Sequence, residues 1–488
     1  MTLDVQKNYD RDVPYTADVC IIGSGAGGSV VAYELTKQGK KVVMLEAGNH
    51  YTEEDITSQT RDDVLLNLWK NHGIFLSNNF SVNVAQGQCV GGSTMINYGI
   101  CFRFPDFVKK IWQEQYGVQL TDQEIDSAYG KAEMQYGVTG ITQEGRSHDV
   151  IGDGCDVLGY SHGWMSKALR GGKKQNALNA YLEKADHSKL KIFANCKAES
   201  IEQSGNTMTK VWGIATDPDT KLKHKVSVTA QKFVLAAGPI ASSEFLLKNN
   251  TANSSGQVGK NFSLHPSSSV VGVFDESING QDSSVMAYFC DEFSARRHEK
   301  FGFMIESVFV SPSQFSLIMP HFGQKNLEEV KKYHNVSMIG VLVHDQAVGQ
   351  VKLNHNQDAT LDYSLSENDQ KQMVKGMQEA CMIYLRAGAR EVITGHIETT
   401  IIKSEDEIES KIKPDSAGQG KLLIASAHPQ GGNIMGSDPA KSVVDSYCKS
   451  HDISNLYICD ASVFPTSVGV NPQLTVLMLA TIAAEHMC

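Results

Sequence analysis

The stretch DVCIIGSGAGG, residues 18–28, decides the fold. Residues 18–22 are a short apolar run, the pattern of a strand buried on both faces of a parallel sheet. The run leads straight into Gly23, Ser24, Gly25, Ala26, Gly27 and Gly28, a GxGxxG. A helical pattern follows, with Val31, Leu35 and small Ala32 on one side, and then a second strand, residues 41–45, that ends in Glu46. Each glycine suits a dinucleotide site. Gly23 permits the tight turn, Gly25 lets the backbone approach a pyrophosphate, and Gly28 lets the helix pack close to the strand. The helix N-terminus turns unpaired N–H groups and a positive dipole end toward phosphates. Glu46, eighteen residues past Gly28 (46 − 28), sets a carboxylate at the adenosine ribose hydroxyls and disfavours a 2′-phosphate. The motif alone does not choose between FAD and NAD.

At 488 residues the chain is too long for one compact core, so two closely joined domains are expected. A formal net charge of −11 repels phosphate backbones and argues against nucleic acid as a partner. The pairs Lys173-Lys174 and Arg296-Arg297 are too short to act as basic tracts. The most apolar run, residues 476–484, falls well short of the roughly 20 residues a membrane helix needs. The first residues carry Asp4, Lys7, Asp10, Arg11 and Asp12 instead of an apolar stretch. No integral membrane segment and a cytoplasmic location are therefore expected. Ten cysteines run from Cys20 to Cys488 with no CxxC spacing, so no metal site is expected, and Cys20 and Cys459 read as small core residues.

Residues 87–103, GQCVGGSTMINYGICFR, favour a flavin. Paired glycines let a backbone lie against a flat ring, and an Asn can donate or accept at its edge. This segment resembles the flavin-cradling signature of the glucose–methanol–choline (GMC) oxidoreductase family, with Gly91, Gly92, Ser93, Asn97 and Arg103 on its positions. The resemblance implies FAD. Some relatives tether flavin through a His just before that Asn. Ile96 stands there, so FAD is expected to be held non-covalently. Residues 172–185, the strand-like 191–201, FVLAAG at 233–238, and Gly259-Lys260-Asn261 with His265-Pro266 resemble further family segments in the same order. By that resemblance the backbone near Ala198 meets the adenine, Gly238 ends the family's LAAG turn as a cofactor-binding residue, and His265 is structural.

The C-terminal segments AHPQGGNIMG (427–436) and LYICDASVFPTSVGVNPQLT (456–475) resemble the closing GMC motifs. In that family a His from the first and a His or Asn from the second face the flavin together. His428 and Asn471 hold those positions here. An alcohol releases hydride readily only as its O–H proton leaves, so an imidazole suits the base and a carboxamide can hold the hydroxyl. Asn471 is also expected to cap a helix that Pro472 opens. By resemblance, Asp460 and Ala461 touch the flavin side of FAD. An Asn partner, and Gly431-Gly432 after His428, resemble the cholesterol oxidase and fatty-alcohol oxidase branches.

The expected fold is α/β: a Rossmann-like FAD-binding domain and an α+β substrate domain with an antiparallel sheet. Motifs at both ends of the chain make the FAD domain discontinuous, at 1–105, 171–270 and 415–488. The substrate domain takes 106–170 and 271–414. Within it, strands are expected at 338–343, 349–353 and 359–363, and a helix at 367–387. The expected reaction is FAD-dependent oxidation of a primary or secondary alcohol, His428 acting as base. Phe, Met and Ile in residues 287–322 suit an apolar alcohol such as a fatty alcohol or sterol. Glu306 is a candidate carboxylate of the substrate domain. A sugar or polyol dehydrogenase, a lyase with a redox-idle flavin, and an NAD-dependent dehydrogenase stay open. So does the electron acceptor: oxygen, a quinone or a cytochrome.

Overall fold

A computed structural model describes residues 2–319, 322–346, 349–398 and 400–487. The strand that precedes the glycine turn, Val19–Ile22, is buried throughout and lies inside a six-stranded sheet. The order is Asp4–Gln6, Leu190–Phe193, Val42–Leu45, Val19–Ile22, Lys232–Leu235 and Leu456–Ile458, with every pairing parallel. A sheet covered on both faces needs strands without a polar side; the five mostly buried runs supply them, while the edge strand Asp4–Gln6 is polar and part-exposed. The helix Ala26–Lys37 starts directly after the glycine turn. A Cβ on Gly27 would lie 1.7 Å from the Cys459 carbonyl oxygen, so the helix start and the last strand touch backbone to backbone.

The helix Gln473–His486 is buried from Gln473 to Ala484, as expected of a helix that is apolar all round. The helices Asp106–Tyr116 and Asp122–Tyr136 share its core through Trp112, Tyr129 and Tyr136. Residues 106–136, assigned above to the substrate domain, thus pack with the parallel sheet. Their apolar faces had no partner visible in the local pattern.

The run 191–201 is two strands, not one. Leu190–Phe193 belongs to the parallel sheet, and Cys196–Ser204 starts a second sheet with Thr207–Thr216, Lys223–Thr229 and Val13–Thr16. Asn195 makes the break with φ 54°, a left-handed conformation that Asn tolerates.

The larger, mainly antiparallel sheet runs Ile401–Ile402, Glu391–Thr394, Ser267–Val273, Val336–Val343, Phe303–Ser307, Tyr288–Cys290 and His162–Trp164. The pairs Gln350–Leu353 and Ala359–Asp362 form a separate hairpin instead of extending it. The helix Glu367–Arg386, capped by Ser366 and Asp369, covers one face. Val341 and Phe303 meet it at Gly376, and Tyr384 meets Gly272. Strand alternation then sends Ser267, Ser269, Glu306, Gly340 and Leu342 to the opposite face.

The nine described cysteines are free and buried, and Cys488 lies outside the described residues. Among the described residues no helix is long and apolar enough to cross a membrane, and no three His, Cys, Asp or Glu side chains gather as metal ligands.

Candidate active site

The opposite face of the antiparallel sheet roofs a cavity of about 900 Å³. Its wall takes in the Gly23–Gly27 turn with Ser24, Gly25 and Ala26, then Glu46, Gly92, Ser93, Asn97, Ala198, Gly238, Asp460, Ala461 and Pro472. His428, Asn471 and Glu306 line the same cavity. Two expected residues do not. Gly28 is a packing position, where a Cβ would meet the Gly23 carbonyl at 2.2 Å. Gly91 is buried beside the wall with φ 97°, and its N–H donates to Ser24 Oγ at 3.1 Å. A backbone N–H and the hydroxyl of Ser24 both donate to one oxygen of Glu46, at 2.9 and 2.7 Å. Gly48 N–H donates to its other oxygen at 2.8 Å. Burial still raises the Glu46 pKa, against these bonds. Asp460 ties strand to helix: Gly238 N–H donates to it at 2.9 Å and Ser242 Oγ at 2.5 Å. Its pKa too is raised by burial.

Asn97 uses its amide internally. Its Nδ2 donates to Gln473 Oε1, and its Oδ1 accepts from Gly99 N–H at 3.2 Å. Gln473 itself is buried and lines the cavity beside Tyr136. Gln473 lies inside the 456–475 segment but is not singled out there; its place as the first residue of the last helix is the signal that could have found it. Arg103 sits away from the cavity, bonded to Glu133 at 2.7 Å and to Asp126 at 3.0 Å.

The polar groups beneath the roof come from three distant segments. His428 follows the short strand Ala425–Ser426, and Ser426 Oγ accepts its N–H at 3.1 Å. Asn471 precedes the last helix but does not cap it: the helix begins after Pro472, with no side-chain cap. Its amide reaches the cavity instead. Nδ2 lies 3.4 Å from His428 Nε2 and 3.5 Å from Glu306 Oε2. Glu306 stands on Phe303–Ser307 opposite Gly340, is fully buried, and leaves Oε1 without a partner. Burial pushes its carboxyl up to about 7, against the Asn471 hydrogen bond and the Arg296 charge. Burial lowers the His428 imidazole to about 4. His265, expected as structural, contacts His428 directly, Nδ1 to Nδ1 at 3.1 Å.

This wall suits a flavin dinucleotide. A Cβ on Gly25 would meet nothing nearer than Gly92 Cα at 3.9 Å, so the first turn of the helix is open to the cavity. Beneath the roof, the unpartnered Asn471 Oδ1 and Glu306 Oε1 need polar partners that a ligand would supply. Family models described as GMC oxidoreductase match residues 17–267 and 345–480. A long-chain-alcohol oxidase of Arabidopsis thaliana, FAO4A, is 26% identical over 503 residues, covering 95% of this chain and 67% of that protein. The fold is shared with pyridoxine 4-oxidase from Mesorbium loti, at TM-score 0.73 and 16% identity, over 96% of this chain and 98% of that one. It is shared also with an Aspergillus oryzae formate oxidase variant studied for FAD modification, at TM-score 0.69 and 14% identity, over 97% and 98%. With both family models matched and the site motifs lining one cavity, the chain is an oxidoreductase belonging to the GMC oxidoreductase family.

Proposed function

We propose that this protein oxidises an alcohol to its carbonyl compound using FAD held non-covalently along the cavity. When bound, FAD supplies the hydride acceptor, at its N5 atom. In this reading segments 1–105, 171–270 and 415–488 hold the cofactor, and the antiparallel sheet roofs the substrate. Ile96, which lines the cavity, offers no nucleophile for a covalent tether. The observation that carries the reading is the meeting of His428, Asn471 and Glu306 within hydrogen-bond reach.

The chain must remove the hydroxyl proton and hold the oxygen while hydride leaves carbon. Glu306 fits the first task. With a pKa of about 7 it is substantially ionised at neutral pH, and it has an unpaired oxygen to offer. His428, lowered to about 4, is neutral there and a weak proton acceptor. In this reading Glu306, with its Oε1 unpaired and its Oε2 beside the Asn471 amide, takes the base role in place of the His428 expected from the sequence. Asn471 Nδ2 and His428 hold the alcohol oxygen. Met286, Val308, Leu342, Phe75 and Ile100 add apolar side chains to the cavity lining, which favours an apolar alcohol such as a fatty alcohol or sterol. The likeness to a long-chain-alcohol oxidase supports the same class.

The test is an anaerobic panel of alcohols from short to long, with sugars and sterols, read by bleaching of the flavin absorbance and followed by oxygen. Bleaching with carbonyl product by an apolar alcohol supports the reading. A substrate cleaved while the flavin stays oxidised replaces it with a lyase.

A further inference from the structure

His265 makes contacts that decide where the proton sits on His428. It is 2% exposed, and its two ring nitrogens meet different kinds of partner. Nε2 lies 3.0 Å from the backbone nitrogen of Gly469, a group that can only donate. Gln430 Nε2 lies 3.2 Å from the same atom. The orientation of that amide is fixed at its other side, where Gln430 Oε1 accepts Val468 N–H at 3.0 Å. Gln430 Nε2 also donates to the His428 carbonyl at 3.2 Å. Two donors aimed at His265 Nε2 leave it no room for a proton. Burial and the neighbouring His428 and His344 keep His265 neutral, by lowering its pKa well below the usual histidine value. A neutral imidazole carries one proton, so that of His265 is on Nδ1.

Nδ1 faces His428 Nδ1 at 3.1 Å. The hydrogen bond therefore runs from His265 to His428, and His428 Nδ1 accepts. We infer that His265, held by Gly469 and Gln430, is a positioning residue that fixes His428 in the tautomer with its proton on Nε2, so that the imidazole enters the cavity as a hydrogen-bond donor. His428 Nε2–H and Asn471 Nδ2–H then stand 3.4 Å apart as two donors with no acceptor between them. A substrate oxygen placed before them accepts from both. As its O–H proton leaves, that oxygen gains charge, and the two donors hold it in place. The inference rests on the proposed alcohol oxidation for its use, but its structural content does not.

The test is nitrogen NMR on FAD-loaded protein with 15N-labelled histidine, the His428 signals being assigned by their loss in His428→Ala. The expected spectrum at neutral pH has His428 Nε2 protonated and Nδ1 unprotonated. His265→Leu removes the donor and should give a mixture of His428 tautomers. With flavin still bound, its anaerobic reduction should slow by roughly 10- to 100-fold, less than full loss of a proton-transfer group. His265→Asn, which can still donate toward His428 Nδ1, should restore the Nε2–H tautomer and most of the rate. Finding wild-type His428 protonated on Nδ1 overturns the inference, and so does an unchanged single tautomer in His265→Leu. The wild-type spectrum needs no substrate. An inactive alcohol panel with the expected tautomer would thus sink the function and spare the inference.

Discussion

Replacing Glu306 with Gln should abolish catalysis and stabilise the protein at the same time. The side chain keeps its shape, but the group that accepts the proton is gone. Losing a positioned general base costs roughly 100- to 10,000-fold in rate. Anaerobic flavin reduction by the preferred alcohol should fall within that range. The wild-type rate should also follow ionisation of a group near pH 7. Between pH 5 and pH 8 the ionised fraction climbs from ~1% to ~90%, so the rate should rise almost a hundredfold. A base at His428, with its pKa about 4, would give a nearly flat profile over the same span. The stability effect has the opposite sign. The folded state binds the Glu306 proton more tightly than the unfolded chain, whose carboxyl has the ordinary value of 4.5. Stability is therefore lost as pH rises from 4.5 to about 7, and the loss is complete above that. The gap, 7 − 4.5, corresponds to about 3 kcal/mol at about 1.4 kcal/mol per pH unit. Chemical denaturation at fixed excess FAD should show the two proteins alike at pH 4.5 and the variant up to about 3 kcal/mol more stable at pH 8. Stopped-flow reduction across pH measures the catalytic half. A variant that still reduces its flavin within a few-fold of wild type, with the step near pH 7 intact, refutes the assignment.

Further expectations concern the cradle and the roof. Gly27→Ala drives a methyl into the Cys459 carbonyl, 1.7 Å away, and should yield protein that purifies without flavin colour or fails to fold; absorbance and circular dichroism decide which. Asn471→Ala should retain FAD yet slow reduction roughly 100-fold, since the alcohol oxygen loses a donor in the closing transition state; normal FAD content with a normal rate would contradict it. Gly340→Leu puts a side chain beside Glu306 on the cavity face of the sheet and should raise KM for bulky alcohols while sparing short ones, read from steady-state rates over chain length. Glu46→Ala should weaken FAD retention on dilution, because Ser24 and Gly48 lose their shared acceptor.

The first βαβ unit was legible because its evidence is local: an apolar run, a glycine turn and a terminal acid within 29 residues (18 to 46). His428 and Asn471 were legible as positions, through the motifs around them, and the structure brings them together. Their roles were less so. Asn471 looked like a helix cap because Pro472 follows it, yet the helix opens later and the amide turns to Glu306. Protonation of His428 depends on Gly469, Gln430 and His265, contacts that no spacing encodes. Glu306 could only be named as a carboxylate. Its burial and its place opposite Gly340 follow from the register of strands far apart in the chain. The break at Asn195 was hidden because a single left-handed residue interrupts an otherwise continuous strand pattern. The core that the helices over 106–136 join is not legible locally, because an amphipathic face tells that a partner exists, not which one.

Departure of hydride from a carbinol carbon held by Glu306, His428 and Asn471 can be measured most directly by single-turnover reduction of the FAD-loaded protein with an alcohol and its α-deuterated form, without oxygen. The flavin should bleach once per active site with one equivalent of carbonyl product, several-fold more slowly for the deuterated alcohol. A flavin that stays oxidised with every alcohol, or bleaches equally fast with both isotopologues, would contradict it.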